Sequence, residues 1–181
     1  KVRVYCCACD AKIQFRTIQG LENMALFISE QTNKVDRKGR VSVPAQFRSA
    51  LGEALPLGIV AFPSFSLQKQ AIDVWPLSRL EQLQNSLDAN SDRFTAGQKN
   101  LAQLIFADAR QLSFDDNGRV LLPLLLLESA GIEEKAVFVG QGRTFQIWSP
   151  DRYIPYKAGI ESQVSDGEKS LSVFPSAEVH G

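Results

Sequence analysis

Two aspartates each stand four residues ahead of an arginine with a glycine between them: Asp36 and Arg40 around Gly39, then Asp115 and Arg119 around Gly118. A carboxylate just before a tight turn can meet a guanidinium just after it, holding the fork bidentately. Such a pair either pins its own turn or fixes an arginine for presentation to a ligand. The neighbours separate the two copies. From Lys34 to Arg48 the first copy carries Lys34, Arg37, Lys38, Arg40 and Arg48 against the single Asp36, a local excess of four positive charges. The second has only Arg119 against Asp115, Asp116 and Glu128. On a hairpin or loop, arginine can read guanine edges in a major groove and lysine can neutralise phosphate. From charge alone, a solvated face explains the cluster equally well.

Other chemistry has little to work with. The one histidine, His180, offers no Ser–His or Cys–His pair with a third orienting group. No glycine loop is followed by Lys-Ser/Thr to cradle a phosphate, and no metal-ligand spacing is present. Cys6, Cys7 and Cys9 supply three thiols where tetrahedral zinc wants four ligands. The expectation is therefore no enzyme, no cofactor, no metal and no small-molecule substrate. All cysteines fall in the first nine residues, which argues against a disulfide-stapled fold and for a reducing setting. No apolar run is long enough to cross a bilayer, so no membrane partner is expected. Formal net charge is zero, which leaves only local patches to attract a polyanion.

The elements that must position these groups are themselves duplicated. Asp36-Arg37-Lys38-Gly39-Arg40-Val41-Ser42-Val43-Pro44 returns further along as Asp115-Asp116-Asn117-Gly118-Arg119-Val120-Leu121-Leu122-Pro123. Downstream, Val74-Trp75-Pro76-Leu77-Ser78-Arg79 is answered by Ile147-Trp148-Ser149-Pro150-Asp151-Arg152. In the first unit, residues 26–35 and 41–43 read as strands about the turn at Gly39. Pro44 suits the first position of a short helix over 45–51 that stops at Gly52. Residues 58–62 and 71–75 are two further strands. The second unit repeats the order, with a strand to Phe114, a turn at Gly118, a strand over 120–122 and a helix from Pro123 to Gly131. Strands over 136–139 and 145–148 close it. Four strands and a short helix leave exposed edges, which two interleaved halves would cover in one small barrel.

Between the units, Leu77, Leu80, Leu83 and Leu87 recur at near-helical spacing with Ser78 as cap, and Leu101, Leu104, Ile105 and Ala109 follow Thr95 in the same way. Packing onto the barrel accounts for both stripes, and a subunit interface is the competing use of their second faces. The expected organisation is an extension over 1–23 (disordered, or a misassigned start ahead of Met24), a first repeat over 24–76, and a helical connection over 77–111. A second repeat over 112–156 and a disordered polar tail over 157–181 complete it.

The doubled Asp-x-x-Gly-Arg-Val-x-x-Pro phrase, the Trp-containing strand in each half and the helical pair between them resemble the MraZ family, of the AbrB/SpoVT-like swapped-hairpin superfamily. The likeness runs from about Phe27 to Tyr156. It implies an α+β fold, a tandem-duplicated swapped-hairpin small β-barrel with two inter-repeat helices. It also implies a cytoplasmic, nucleoid-associated transcriptional regulator, a repressor of the division and cell-wall gene cluster and of its own promoter. Such a protein binds direct repeats in double-stranded promoter DNA as a homo-oligomeric ring. The family's Asp-x-x-x-Arg signature falls on Asp36 with Arg40 and on Asp115 with Arg119; with that family reading, the basic cluster of the first copy, Lys34, Arg37, Lys38, Arg40 and Arg48, becomes the expected DNA contact. The chain departs from the family at Lys99-Asn100-Leu101-Ala102-Gln103, where arginines are usual, and at Leu124-Leu125-Leu126-Leu127, where polar residues are. An antitoxin-like, partner-binding role is the alternative within the superfamily; an enzyme using the inter-repeat cleft is a third.

Overall fold

In the computed structural model, which describes residues 26–166, the two units do not fold side by side. The first contains β1 (Glu30–Lys34), β2 (Arg40–Ser42), α1 (Ala45–Leu51), a 3-10 segment (Gly52–Leu57), β3 (Ile59–Pro63) and β4 (Ala71–Pro76). Helices α2 (Leu77–Ala89) and α3 (Ala96–Asp108) follow, separated by a short 3-10 turn (Ser91–Arg93). The second unit supplies β5 (Arg110–Leu112), β6 (Arg119–Leu121), α4 (Leu124–Ala130), β7 (Lys135–Gly140), β8 (Phe145–Trp148) and α5 (Pro150–Asp166).

Strand pairing crosses between the units. The main antiparallel sheet runs β1-β7-β8-β4-β3-β5, and β2 pairs with β6 in a separate two-stranded ribbon. Exchanging each strand for its counterpart in the other unit reverses the order of the sheet onto itself. β1 lies on β7 and β5 on β3, so each unit's first strand covers an edge that the other unit would leave bare. Neither unit completes a sheet alone.

Alternation along the strands builds the core. Ile59, Ala61, Ile72, Val74, Ala136, Phe138, Phe145 and Ile147 point to one face. There they meet Val41 and Val120 of the ribbon, Val43 and Leu122 just after its strands, and Phe47, Leu126 and Ala130 of the short helices. Phe47 is fully buried in an aromatic cluster, 5.6 Å from Phe27 and 5.0 Å from Phe145 between ring centroids. The opposite sheet face is covered at both ends. Val60 and Phe62 pack with Ile105, Trp75, Leu77 and Leu80 beneath α2 and α3, while Trp148, Val137 and Ala71 pack with Tyr153 and Tyr156 of α5.

Several local expectations change. The first strand begins at Glu30 rather than Leu26, because Ser29 adopts φ 96° and breaks the run; Phe27 instead pairs singly with Gly142. Helix α2 follows Pro76 with no side-chain cap, and Ser78 lies inside it rather than before it. Thr95 does cap α3: its hydroxyl accepts from the Gln98 N–H, and the Gln98 side chain accepts from the Thr95 N–H, a reciprocal box.

The largest correction concerns the expected disordered tail over 157–181. Up to Asp166 it is the continuation of α5, and residues 167–181 lie outside the described set, as does the extension over 1–23. Helix α5 is anchored by aromatic stacking of Tyr156 on Trp148, with centroids 4.5 Å apart. Tyr153 Oη and Lys157 Nζ both donate to Glu30 on β1, at 3.0 and 2.7 Å. This salt bridge holds Glu30 below the usual carboxylate range, chiefly through the Lys157 hydrogen bond. Tyr153 occupies the place that Leu80 takes in α2, and the Trp-to-Arg echo runs into the first turn of both helices, so α5 is the second unit's α2.

Candidate nucleic-acid interface

The two turns have the same hydrogen-bond geometry. Asp36 Oδ1 accepts from the backbone N–H of Lys38 and of Arg40, each at 2.9 Å, while Oδ2 accepts from Arg40 Nε at 2.7 Å. Asp115 does the same with Asn117, with Arg119 at 2.9 Å, and with Arg119 Nε at 2.8 Å. The expected bidentate fork is therefore not what forms. One carboxylate oxygen closes the turn and the other takes a single Nε bond, leaving both Nη groups of each arginine unclaimed by the carboxylate. All four side chains are partly open to water, so the ion pairs themselves contribute little; the backbone bonds shape the turn.

Both carboxylates are held below the usual aspartate range, first by the backbone N–H of the arginine, then by its side chain and the second backbone N–H. A lowered folded pKa means that the stabilising effect is fully present above the ordinary aspartate value of about 4 and fades as pH falls through the lower folded value. Acid unfolding should thus have a component below about pH 4 that Asp36→Asn and Asp115→Asn remove. Carboxyl titration by NMR checks this directly; an ordinary aspartate pKa at either position would contradict the geometry.

Each turn rests on the other unit. Leu122 N–H donates to Gly39 O at 3.0 Å, and Val43 N–H donates to Gly118 O at 3.1 Å. Gly39 and Gly118 both have positive φ, at 81° and 68°. These are conformations that favour glycine. In the ribbon, Arg40 lies opposite Leu121, Val41 opposite Val120 and Ser42 opposite Arg119. Since Val41 and Val120 are buried, Arg40, Ser42, Arg119 and Leu121 share the outward face. Both signature arginines stand there, at diagonal corners.

The sequence-predicted cations are not all brought together. Arg37 and Lys38 are at the tip of the first turn, beside half-buried Arg40. Lys34 is exposed at the end of β1, directly across the ladder from Lys135, a neighbour that only the register reveals. Arg48, counted with the first turn, lies across the second. Its Nε donates to Val43 O at 3.2 Å, and its guanidinium covers Gly118, where an added Cβ would fall 2.4 Å from Nη1. At the twin position Leu127 covers Gly39. The second turn is therefore less acidic in space than in sequence. The exposed Leu121 and Leu124 beside these groups escape a search for charged residues; the signal for them is the change from Ser42 and Ala45 at the matching positions.

Among the described residues no cluster of three His, Cys, Asp or Glu side chains could hold a metal, and no helix is long and apolar enough to cross a membrane. The decisive comparison is with protein families: the family model described as "MraZ protein, putative antitoxin-like" matches residues 26–103 and 105–173. The chain belongs to the MraZ family. Its similarity to individual MraZ proteins spans most of both partners. It is 41% identical to the "Transcriptional regulator MraZ" of Rickettsia canadensis (strain McKiel) over 133 residues, which is 74% of this chain and 87% of that protein. Identity to the protein of the same name from Rickettsia bellii (strain OSU 85-389) is 39% over 149 residues, 82% of this chain and 97% of the relative. In this MraZ-family chain the mixed α and antiparallel β structure places the doubled signature on the ribbon, with its arginines outside the core.

Proposed function

We propose that this MraZ-family chain is a sequence-specific DNA-binding transcriptional regulator that uses the β2–β6 ribbon and the first turn as its contact surface. One observation carries the reading: Arg40 and Arg119 share the outward ribbon face, each oriented by its own aspartate, with Arg37 and Lys38 at the adjoining tip. A two-stranded ribbon fits the major groove of B-DNA, where arginine reads guanine and the flanking cations neutralise phosphate. The cross-paired units are the swapped-hairpin barrel of this reading, and they make the ribbon a rigid platform. The names of the relatives, transcriptional regulators, support the same function.

One ribbon offers few contacts. In the proposed assembly several subunits form a ring that sets identical ribbons along direct repeats of a promoter, raising avidity without new contact chemistry. Leu101 and Leu104 of α3 and Ile160 and Val164 of α5 remain exposed and provide apolar surface for subunit contacts. The target is the division and cell-wall gene cluster, including the chain's own promoter, and the ring represses it from the cytoplasmic nucleoid. Purified protein should retard a duplex from its own upstream region but not a scrambled duplex of equal length. Equal retardation of both would overturn sequence-specific binding. The family's antitoxin-like description favours a partner-binding role as the second reading. Copurification of a small toxic protein, with no retarded duplex, would establish that instead.

A further inference from the structure

The second unit presents large apolar side chains where its twin does not. Leu121 is 55% exposed and Leu124 is 68% exposed, whereas the matching first-unit positions hold Ser42 and Ala45. The twin folds without them, so the fold does not demand leucine there. Water-facing apolar side chains grouped in this way mark an interaction surface.

Their surroundings say what kind. Leu121 sits directly across the ladder from Arg40, on the outward ribbon face. Its Cδ1 lies 3.8 Å from where a Cβ on Gly39 would stand, so it also borders the first turn. Leu124 lines a groove of about 640 Å³ together with Asp36, Arg37 and Lys38 of that turn and with Glu128 and Glu133 of the second unit; the Asp36 carboxylate is already taken by Arg40 and by backbone N–H groups. Leu121 thus neighbours Arg40, and Leu124 neighbours the cationic tip. An occupant that suits both features carries negative charge at its margin and small apolar groups further in. Double-stranded DNA has that pattern in its major groove, where each thymine projects a 5-methyl group between the phosphate ridges.

We infer that Leu121 and Leu124 read thymine methyl groups next to the bases and phosphates met by Arg40, Arg37 and Lys38. This rests on the DNA-binding reading and adds a base preference to it. The carboxylates of Glu128 and Glu133 repel phosphate, which limits the phosphate track to the Arg37 and Lys38 margin of the groove. The contact is purely apolar, so it depends on the methyl group and not on the hydrogen-bonding edge of the base.

The test separates that methyl group from everything else. Duplexes selected from a random pool by the full chain are remade with deoxyuridine in place of each thymine, which removes the methyl alone. The intact chain should bind about fourfold more weakly for each contacted thymine replaced, the change expected from burying one methyl group. Leu121→Ser and Leu124→Ser, confirmed as folded by thermal melting, should bind both forms alike. Equal affinity of the intact chain for thymine and uracil duplexes would overturn the inference while leaving DNA binding intact. Leucine variants that keep full discrimination would also overturn it, as would variants whose only change is a smaller assembly on sedimentation, which would assign the patch to a second copy. If no duplex is enriched at all, the DNA-binding reading fails and the inference falls with it.

Discussion

Alanine at both Arg37 and Lys38 should weaken DNA binding by about one to two orders of magnitude at about 0.1 M salt and make it less salt-dependent. Each phosphate no longer neutralised takes about 0.9 off the slope of log affinity against log salt, so two of them flatten it by about 2. The side chains stand at the turn tip, and the Asp36 hydrogen bonds that shape the turn come from the Lys38 and Arg40 backbone and from Arg40 Nε. The variant should therefore melt like the parent. That separates it from Arg40→Ala, which removes a turn-fixing bond together with any base contact. Asp116→Ala with Asn117→Ala at the second tip is the natural control and should leave the slope unchanged or slightly steeper. Salt titration of fluorescence anisotropy on a selected duplex reads all three. An unchanged slope in the Arg37–Lys38 variant would remove the first turn from the interface.

Gly58→Ala should destabilise the fold by about 2–6 kcal/mol. Gly58 lies just before β3 with φ 79° and ψ −159°. That region is essentially reserved for glycine and costs other residues about 1–3 kcal/mol. A Cβ there would also stand 2.2 Å from the carbonyl oxygen of Leu112 on β5. That oxygen belongs to backbone and cannot swing aside, so the clash adds a penalty of about 1–3 kcal/mol, as overpacking does. The damage falls where β5 of the second unit joins β3 of the first. Gly52→Ala provides the comparison, since its φ of 51° is equally left-handed but nothing lies within 4 Å of the added carbon. Chemical denaturation of both variants should show a clearly larger effect for Gly58. Equal effects would mean that dihedral strain alone matters and that the β3–β5 contact is not tight.

Much of this is legible from the chain because the signals are local. Helix α1 begins and ends where Pro44 and Gly52 place it, and Thr95 caps α3 through Gln98. What escapes depends on partners distant in sequence. Arg48 follows the first signature by a few residues, yet it covers Gly118, because each turn leans on the opposite unit. Lys135 becomes a neighbour of Lys34 only through the β1–β7 register. The Nε-only geometry of the aspartates follows from backbone N–H groups competing for the same carboxylate, a competition that spacing does not display. Helix α5 is a different kind of miss. The Trp75-to-Arg79 echo at Trp148 to Arg152 announces a second α2, but the polar composition after Tyr156 argues for a disordered tail. Tyr153 and Tyr156, three residues apart and both against Trp148, are the signal that decides between them.

The crossed pairing of β1 with β7 has a consequence for how the protein is made. Glu30 meets Val139, so β1 leaves the ribosome long before its partner exists. At about 5–20 residues per second, the roughly hundred residues between them keep it waiting on the order of ten seconds with its ladder unpaired. Over the same interval β3 and β4 can zip together as a hairpin, while Val41, Val43 and Phe47 have no second unit to cover them. The nascent chain is thus open to aggregation and to chaperone capture until β7 and β8 emerge. Slowing translation should deepen that vulnerability, whereas for a domain that folds from its N-terminus onward it would give relief.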